Sequence, residues 1–200
     1  MTDSLGWQRF NLLGHSRGAA VATLFAGAYP ERVERVVLVE GGLPIVADAS
    51  HAAENLAEVL LRSRTLRSKS GRIFAERADA IAERARGFTP VTTAAAEILA
   101  ERSLRKVDGG WQWHADQRLK AGSELRFTRE LLRPFIERIA CPTLIVMAEE
   151  SPFADSSLYT DMLQVFPALE RHRLPGRHHL HLEGAEGEIA RLINAFFRGS

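Results

Sequence analysis

The stretch Phe10-Asn11-Leu12-Leu13-Gly14-His15-Ser16-Arg17-Gly18-Ala19-Ala20 decides how the chain is read. An apolar run of strand length meets Gly-X-Ser-X-Gly, and a helix of small residues follows. A rigid strand that feeds a sharp turn lifts Ser16 out of a sheet, with torsions that crowded neighbours would forbid. Gly14 and Gly18 lack a Cβ, so strand and helix are expected to approach closely at the bend. The helix would aim its N-terminal N–H groups, and the positive end of its dipole, at the serine. The backbone N–H of Arg17 is then placed to stabilise an oxyanion. Ala19, Ala20, Ala22, Ala26 and Ala28 let the helix pack tightly on the sheet. Alone, Gly-X-Ser-X-Gly is a common string and fits a Gly-rich turn without chemistry. Between an apolar run and an Ala-rich helix it reads as a nucleophile elbow.

Outward from the elbow, the helix Ala19–Tyr29 is stopped by Pro30. Arg35–Glu40 is a second strand whose four central residues are all Val or Leu. Apolar residues without alternation indicate a parallel strand covered on both faces. Gly41-Gly42-Leu43-Pro44 breaks it. Parallel strands resume with Pro142–Ala148 and end with Glu170–Leu174, and Glu186–Phe197 closes the chain as an amphipathic helix. A helix starting near Asp155, its expected N-cap, runs to Phe166. Between the strands the texture is helical, with candidates at Ala52–Ser63, Gly71–Arg86, Thr92–Lys106 and Thr128–Ile139, the last kinked at Pro134. The expected organisation is a core of 1–44 and 135–200 interrupted by a helical cap or lid, 45–134. Trp111 and Trp113 are expected to pack that cap onto the core rather than line a pocket.

At 200 residues, 46% of them apolar, the chain suits one domain with an insertion. Twenty-six Lys and Arg against 25 Asp and Glu give a net charge of +1, which provides no bulk attraction for nucleic acid or an anionic membrane. The single cysteine, Cys141, excludes an internal disulfide and reads as a packed thiol. No apolar run reaches the roughly 18 residues of a membrane span, and Met1 opens no signal peptide. The expectation is a soluble, cytoplasmic protein with a small-molecule substrate and no cofactor.

A serine hydroxyl needs a base to take its proton. In a parallel sheet every strand-to-helix loop opens on the C-terminal edge, where Ser16 also lies. The loop Pro175-Gly176-Arg177-His178-His179-Leu180-His181-Leu182-Glu183 follows the last strand, so it reaches that edge. His178 is preferred as the base, with His179 as its rival and His181 holding the loop by hydrogen bonds. Three histidines in four positions invite a metal. No carboxylate or further histidine stands at metal-ligand spacing from them, so no metal is expected. His15 is expected to pack beside the elbow. His51, His114 and His172 read as surface or locally bonded residues.

On the elbow, the strands Val36–Val39 and Leu144–Met147, the Gly-X-His-His-X-His loop, and the order of serine before histidine, the chain resembles the α/β-hydrolase fold family. Asp116-Gln117-Arg118-Leu119 and Pro175–His181 make it most similar to the serine hydrolase-like proteins. The resemblance implies Ser16 as nucleophile and His178 as general base. It leaves the acid open. The family loop after the penultimate strand reads Gly-X-X-Asp-Pro, and here Ala148-Glu149-Glu150-Ser151-Pro152 puts Ser151 where the aspartate is expected. Candidates are Glu40, Glu150, Glu149 and Asp155. Glu40 is favoured because it ends the strand after the elbow helix, a position some relatives use.

In the family several strands and a His-Gly loop, source of a second oxyanion donor, precede the elbow strand. This sequence starts near the end of the helix before it. The expected fold is therefore an incomplete α/β-hydrolase with a parallel sheet of about four strands and an apolar open edge, and self-association through that edge is the partner expectation. The leading function is hydrolysis of ester-like or related acyl bonds by a Ser-His-acid triad. The alternatives are an inactive fragment that associates with a partner chain, or perhydrolase or carbon–carbon bond hydrolase chemistry on the same fold.

Overall fold

The computed structural model describes residues 2–67, 70–151, 153 and 156–199. Strands β1 (Phe10–His15), β2 (Val33–Val39), β6 (Thr143–Ala148) and β7 (Leu169–Leu174) form one parallel sheet in the order β1-β2-β6-β7. This is the expected four-stranded parallel sheet, and β1 is an end strand.

The unbroken apolar character of β2 has a direct cause. Val36 and Leu38 face one side, with Ile145 and Met147 of β6, beneath α1 (Arg17–Ala28), α5 (Arg129–Glu137) and α6 (Ser157–Leu163). Val37 and Val39 face the other side, with Leu144, Val146 and Ala148, beneath α7 (Glu186–Arg198). All four β2 residues are at most 3% exposed, so each contributes about 1.5–3 kcal/mol by leaving water. On α1 the small residues Ala19, Ala22 and Ala26 make the contact with the sheet. A Cβ on Gly27 would fall 2.8 Å from Phe135 Cα and closer still to its carbonyl, so glycine permits the crossing of α1 and α5. Pro134 lies inside α5, whose N-cap Thr128 accepts a hydrogen bond from the Leu131 N–H.

The chain divides into two units, 1–47 with 127–200, and 48–126. The boundary read at 134 falls inside α5 and left residues 129–134 of the helix with the insert. The helix belongs instead to the first unit, because its apolar face, Leu132 and Ile136, is buried in that unit's core.

The second unit also departs from the all-helical expectation. It holds α2 (Ala52–Arg67), α3 (Arg77–Ala85) and α4 (Thr93–Ser103), and with them an antiparallel sheet of β3 (Ile73–Phe74), β5 (Gly110–Trp113) and β4 (Leu104–Val107) in the order β3-β5-β4. The hairpin between β4 and β5 turns at Asp108 and Gly109, and Gly109 and Gly110, the first residue of β5, have φ of 81° and 141°, backbone that L side chains rarely adopt. Within this unit the Trp113 Nε1–H donates to the Ala80 carbonyl at 3.3 Å. Among the described residues no helix is long and apolar enough to cross a membrane.

Candidate active site

Ser16 sits where β1 becomes α1. Its φ of 54° and ψ of −119° lie in a region that non-glycine residues seldom occupy. The surroundings hold it there. The Ser16 N–H donates to the Val39 carbonyl at 2.9 Å, extending the ladder with β2 by one residue, and the Ser16 carbonyl accepts from Ala19 N–H at 3.0 Å. A Cβ on Gly14 would lie 2.6 Å from the Ala19 nitrogen and closer to the Gly18 carbonyl, so glycine is required there. Gly18 differs from expectation: a Cβ there would meet open space. The close approach is made by its backbone, against Gly14. Arg17 opens α1, which puts its N–H at the helix N-terminus beside the serine.

Two further crossings bring side chains to the same edge. Glu40 follows β2 with φ of 47° and is fully buried. Its Oε1 accepts from Ala148 N–H at 2.5 Å, and its own N–H donates to the Val146 carbonyl at 2.9 Å. His178, 9% exposed, lies in the loop after β7. Its Nδ1 is 3.1 Å from Glu40 Oε2, and its Nε2 is 2.9 Å from Ser16 Oγ. A carboxylate only accepts, so Nδ1–H donates to Glu40 and Nε2 is left to accept from the serine hydroxyl. The three side chains form one line of hydrogen bonds. The Phe153 ring stands edge-on to His178, with centroids 6.0 Å apart.

The other carboxylate candidates lie elsewhere. Glu149 and Glu150 are exposed, and their backbone N–H groups bond to the Leu174 and Gly176 carbonyls. Asp155 lies outside the described residues, and the N-cap of α6 is Ser156, whose hydroxyl accepts from Tyr159 N–H. Ser151 is buried, and its hydroxyl accepts from Phe153 N–H at 3.3 Å. His51, His114 and His172 bond locally, to Glu54, the Arg102 carbonyl and Glu170.

Sequence reasoning gave no role to two residues beside the serine. A Cβ on Gly41 would fall 2.6 Å from the Ser16 carbonyl oxygen, so the backbone leaving β2 passes the elbow only as glycine. Tyr159 donates to the Gly41 carbonyl at 2.8 Å. Burial foremost, and the Glu40 charge after it, raise the Tyr159 hydroxyl above its ordinary value, so it stays a neutral donor. The Gly41-Gly42 pair was a visible signal, read only as a strand break.

His15 does more than pack. Its Nε2–H donates to the His178 carbonyl at 2.8 Å, and its ring lies 4.9, 5.1 and 4.2 Å from those of His178, His179 and His181. Burial is the first cause lowering the His15 pKa, and burial first, then the charges of His15 and His178, push His181 down to about 4. His181 does not hold the loop by a hydrogen bond from Nδ1, because that atom is buried and has no hydrogen-bond partner, an arrangement that costs about 1–3 kcal/mol. His15, His179 and His181 each present a ring nitrogen within 4.8 Å of the others.

A family model described as the alpha/beta hydrolase fold matches residues 1–185. The chain belongs to the α/β-hydrolase fold family. It is 42% identical to the hypothetical protein PA1622 from Pseudomonas aeruginosa PAO1, whose crystal structure superposes with a TM-score of 0.90 over 98% of this chain and 70% of that one. Within this α/β-hydrolase family it is similar to the serine hydrolase-like proteins. It is 26% identical to the "Serine hydrolase-like protein" of Danio rerio over 99% of this chain and 63% of that protein. It is 24% identical to "Serine hydrolase-like protein 2" of Homo sapiens over 98% and 67%. The chain thus spans about two thirds or less of the length of these curated relatives.

Proposed function

We propose that the protein hydrolyses ester-like or related acyl bonds through Ser16, His178 and Glu40. Ser16 Oγ attacks the acyl carbonyl while His178 Nε2 takes its proton. Glu40 holds the imidazole in the tautomer that accepts and stabilises the imidazolium that forms. The Arg17 N–H, at the positive end of α1, stabilises the oxyanion. Collapse of the tetrahedral intermediate expels the leaving group, which takes the proton from His178. Water then attacks the acyl-enzyme with His178 again as base, releasing the acid and restoring Ser16.

The observation that carries the reading is the unbroken Ser16–His178–Glu40 line, with the serine in a strained turn at a helix N-terminus. It favours a working hydrolase over an inactive fragment, which has no need of the strain. Similarity to the serine hydrolase-like proteins supports the same reaction class. A fluorophosphonate probe and a chromogenic short-chain ester test it. Labelling is expected at Ser16, and Ser16→Ala should abolish labelling and lower ester hydrolysis by roughly 10³-fold or more. Undiminished labelling of the Ser16→Ala protein would remove Ser16 as nucleophile.

A further inference from the structure

We propose that His15, His179 and His181 form a binding site for a divalent transition-metal ion of the zinc type. The three imidazoles come from two segments that the fold brings together: His15 ends β1, and His179 and His181 lie in the loop after β7. Spacing within that loop cannot reveal the trio, because its third member is 164 and 166 residues away from the other two, beside the nucleophile.

The geometry is close to what such an ion needs. The ligand nitrogens lie within 4.8 Å of one another. A tetrahedral ion about 2.0–2.1 Å from each nitrogen would set them about 3.4 Å apart, so the rings close by no more than about 1.4 Å. Two observations bear on the affinity. The His15 bond to the His178 carbonyl ties the two segments together in advance, so little ordering is left for binding to accomplish. His181 Nδ1 is buried without a hydrogen-bond partner, so a metal bond there would displace none. Three imidazoles without a carboxylate suit zinc, nickel or copper, and offer nothing to calcium or magnesium, which take oxygen ligands. Water would complete the fourth position.

The site adjoins the proposed general base: His179 follows His178 in sequence, and the His15 ring is 4.9 Å from the His178 ring. Drawing His15 and His179 onto an ion shifts the segment that carries His178, because His15 bonds the His178 carbonyl and His179 is its neighbour in sequence. Zinc should therefore inhibit hydrolysis, a consequence that rests on the proposed function, whereas the binding itself does not.

The test is calorimetric titration of the chelator-treated, untagged chain with Zn²⁺, alongside Co²⁺ absorption as a report of tetrahedral ligation. One ion per chain is expected. His15→Gln and His181→Gln should each weaken binding by at least the roughly 10- to 100-fold that an outer-shell change costs. Ser16→Ala and His172→Gln should leave it unchanged. Circular dichroism checks that each variant folds, and His181→Gln decides the matter if His15→Gln does not. Absence of saturable binding, or equal affinity in the folded His181→Gln protein, would overturn the site. Binding without any slowing of ester hydrolysis would overturn the inhibition and leave the site standing. Absence of fluorophosphonate labelling at Ser16 in the metal-free protein would be a separate failure, of the hydrolase reading.

Discussion

The two units of the chain build their polar contacts over different distances. In 1–47 with 127–200, Ser16 meets His178 across 162 positions and Glu40 meets His178 across 138. In 48–126 the spans are shorter: Asp116 meets Arg118 two positions on, Arg105 meets Gln112 seven on, and the longest, from Gln112 to the Gly71 carbonyl, crosses 41. Topology explains the difference. Parallel strands need long crossovers, and every loop after a strand opens on one edge, so distant residues converge. An antiparallel hairpin returns at once and joins neighbours. The first unit therefore depends on sheet register for its chemistry, and the second does not.

Exchange of a long-range partner should have the largest effect. Glu40→Gln keeps an oxygen to accept from Ala148 N–H, so the fold survives, but an amide can also donate, and it no longer enforces the accepting tautomer of His178 or stabilises its cation. The rate constant for ester hydrolysis should fall about 10⁴-fold. Glu150→Gln, at an exposed carboxylate in the loop after β6, should stay within about twofold. The reverse ranking in steady-state kinetics would move the acid to that loop and break the assignment of Glu40.

The same contrast governs what could be read beforehand. Val36–Val39 and Leu144–Met147 announced a covered parallel sheet because each residue's burial is written in its own side chain. Ser16 was legible because the elbow is a local device: strand, glycine, serine, glycine and helix within eleven positions. The carboxylate that meets His178 was legible only as one of four candidates, since no local pattern says which carboxylate meets an imidazole 138 positions away. In the insert, Ile73-Phe74 is too short to show alternation, and Leu104–Val107 follows α4 with no break, so both strands merged into helical candidates. Only the pairing with Trp111 and Gln112 separates them. His15 was discounted because its partners also come from the far end of the chain.

A stability effect of intermediate size would sharpen the account of the elbow. The motif makes Gly14 and Gly18 look equivalent, and the structure separates them. Gly14→Ala drives a methyl into the Gly18 carbonyl and the Ala19 nitrogen, and overpacking of this kind costs about 1–3 kcal/mol. Gly18→Ala adds a methyl to open space on a helix, where alanine gains up to about 1 kcal/mol over glycine. Urea denaturation of the two variants measures the difference. Equal destabilisation would mean that the tight side of the bend has been misassigned.

The smallest effect belongs to the second unit, at a polar contact that is local and exposed. Hydrogen bonds from the Arg118 guanidinium and backbone hold the Asp116 carboxyl down at about 2, against an ordinary 3.8. A depressed carboxylate stabilises the fold above its unfolded pKa, and that stabilisation is lost as pH falls from 3.8 through about 2. Both side chains are well exposed, so solvent and salt screen the pair and its contribution is slight. Asp116→Asn should lower the melting midpoint slightly at pH 5 and by much less at pH 2, and the pH 5 difference should shrink in molar salt. An offset of the same size at both pH values would assign the effect to the Asx-type turn that Asp116 makes with the Arg118 N–H, because an asparagine side chain keeps that bond at any pH only imperfectly, while a charge acts only where the carboxyl is ionised.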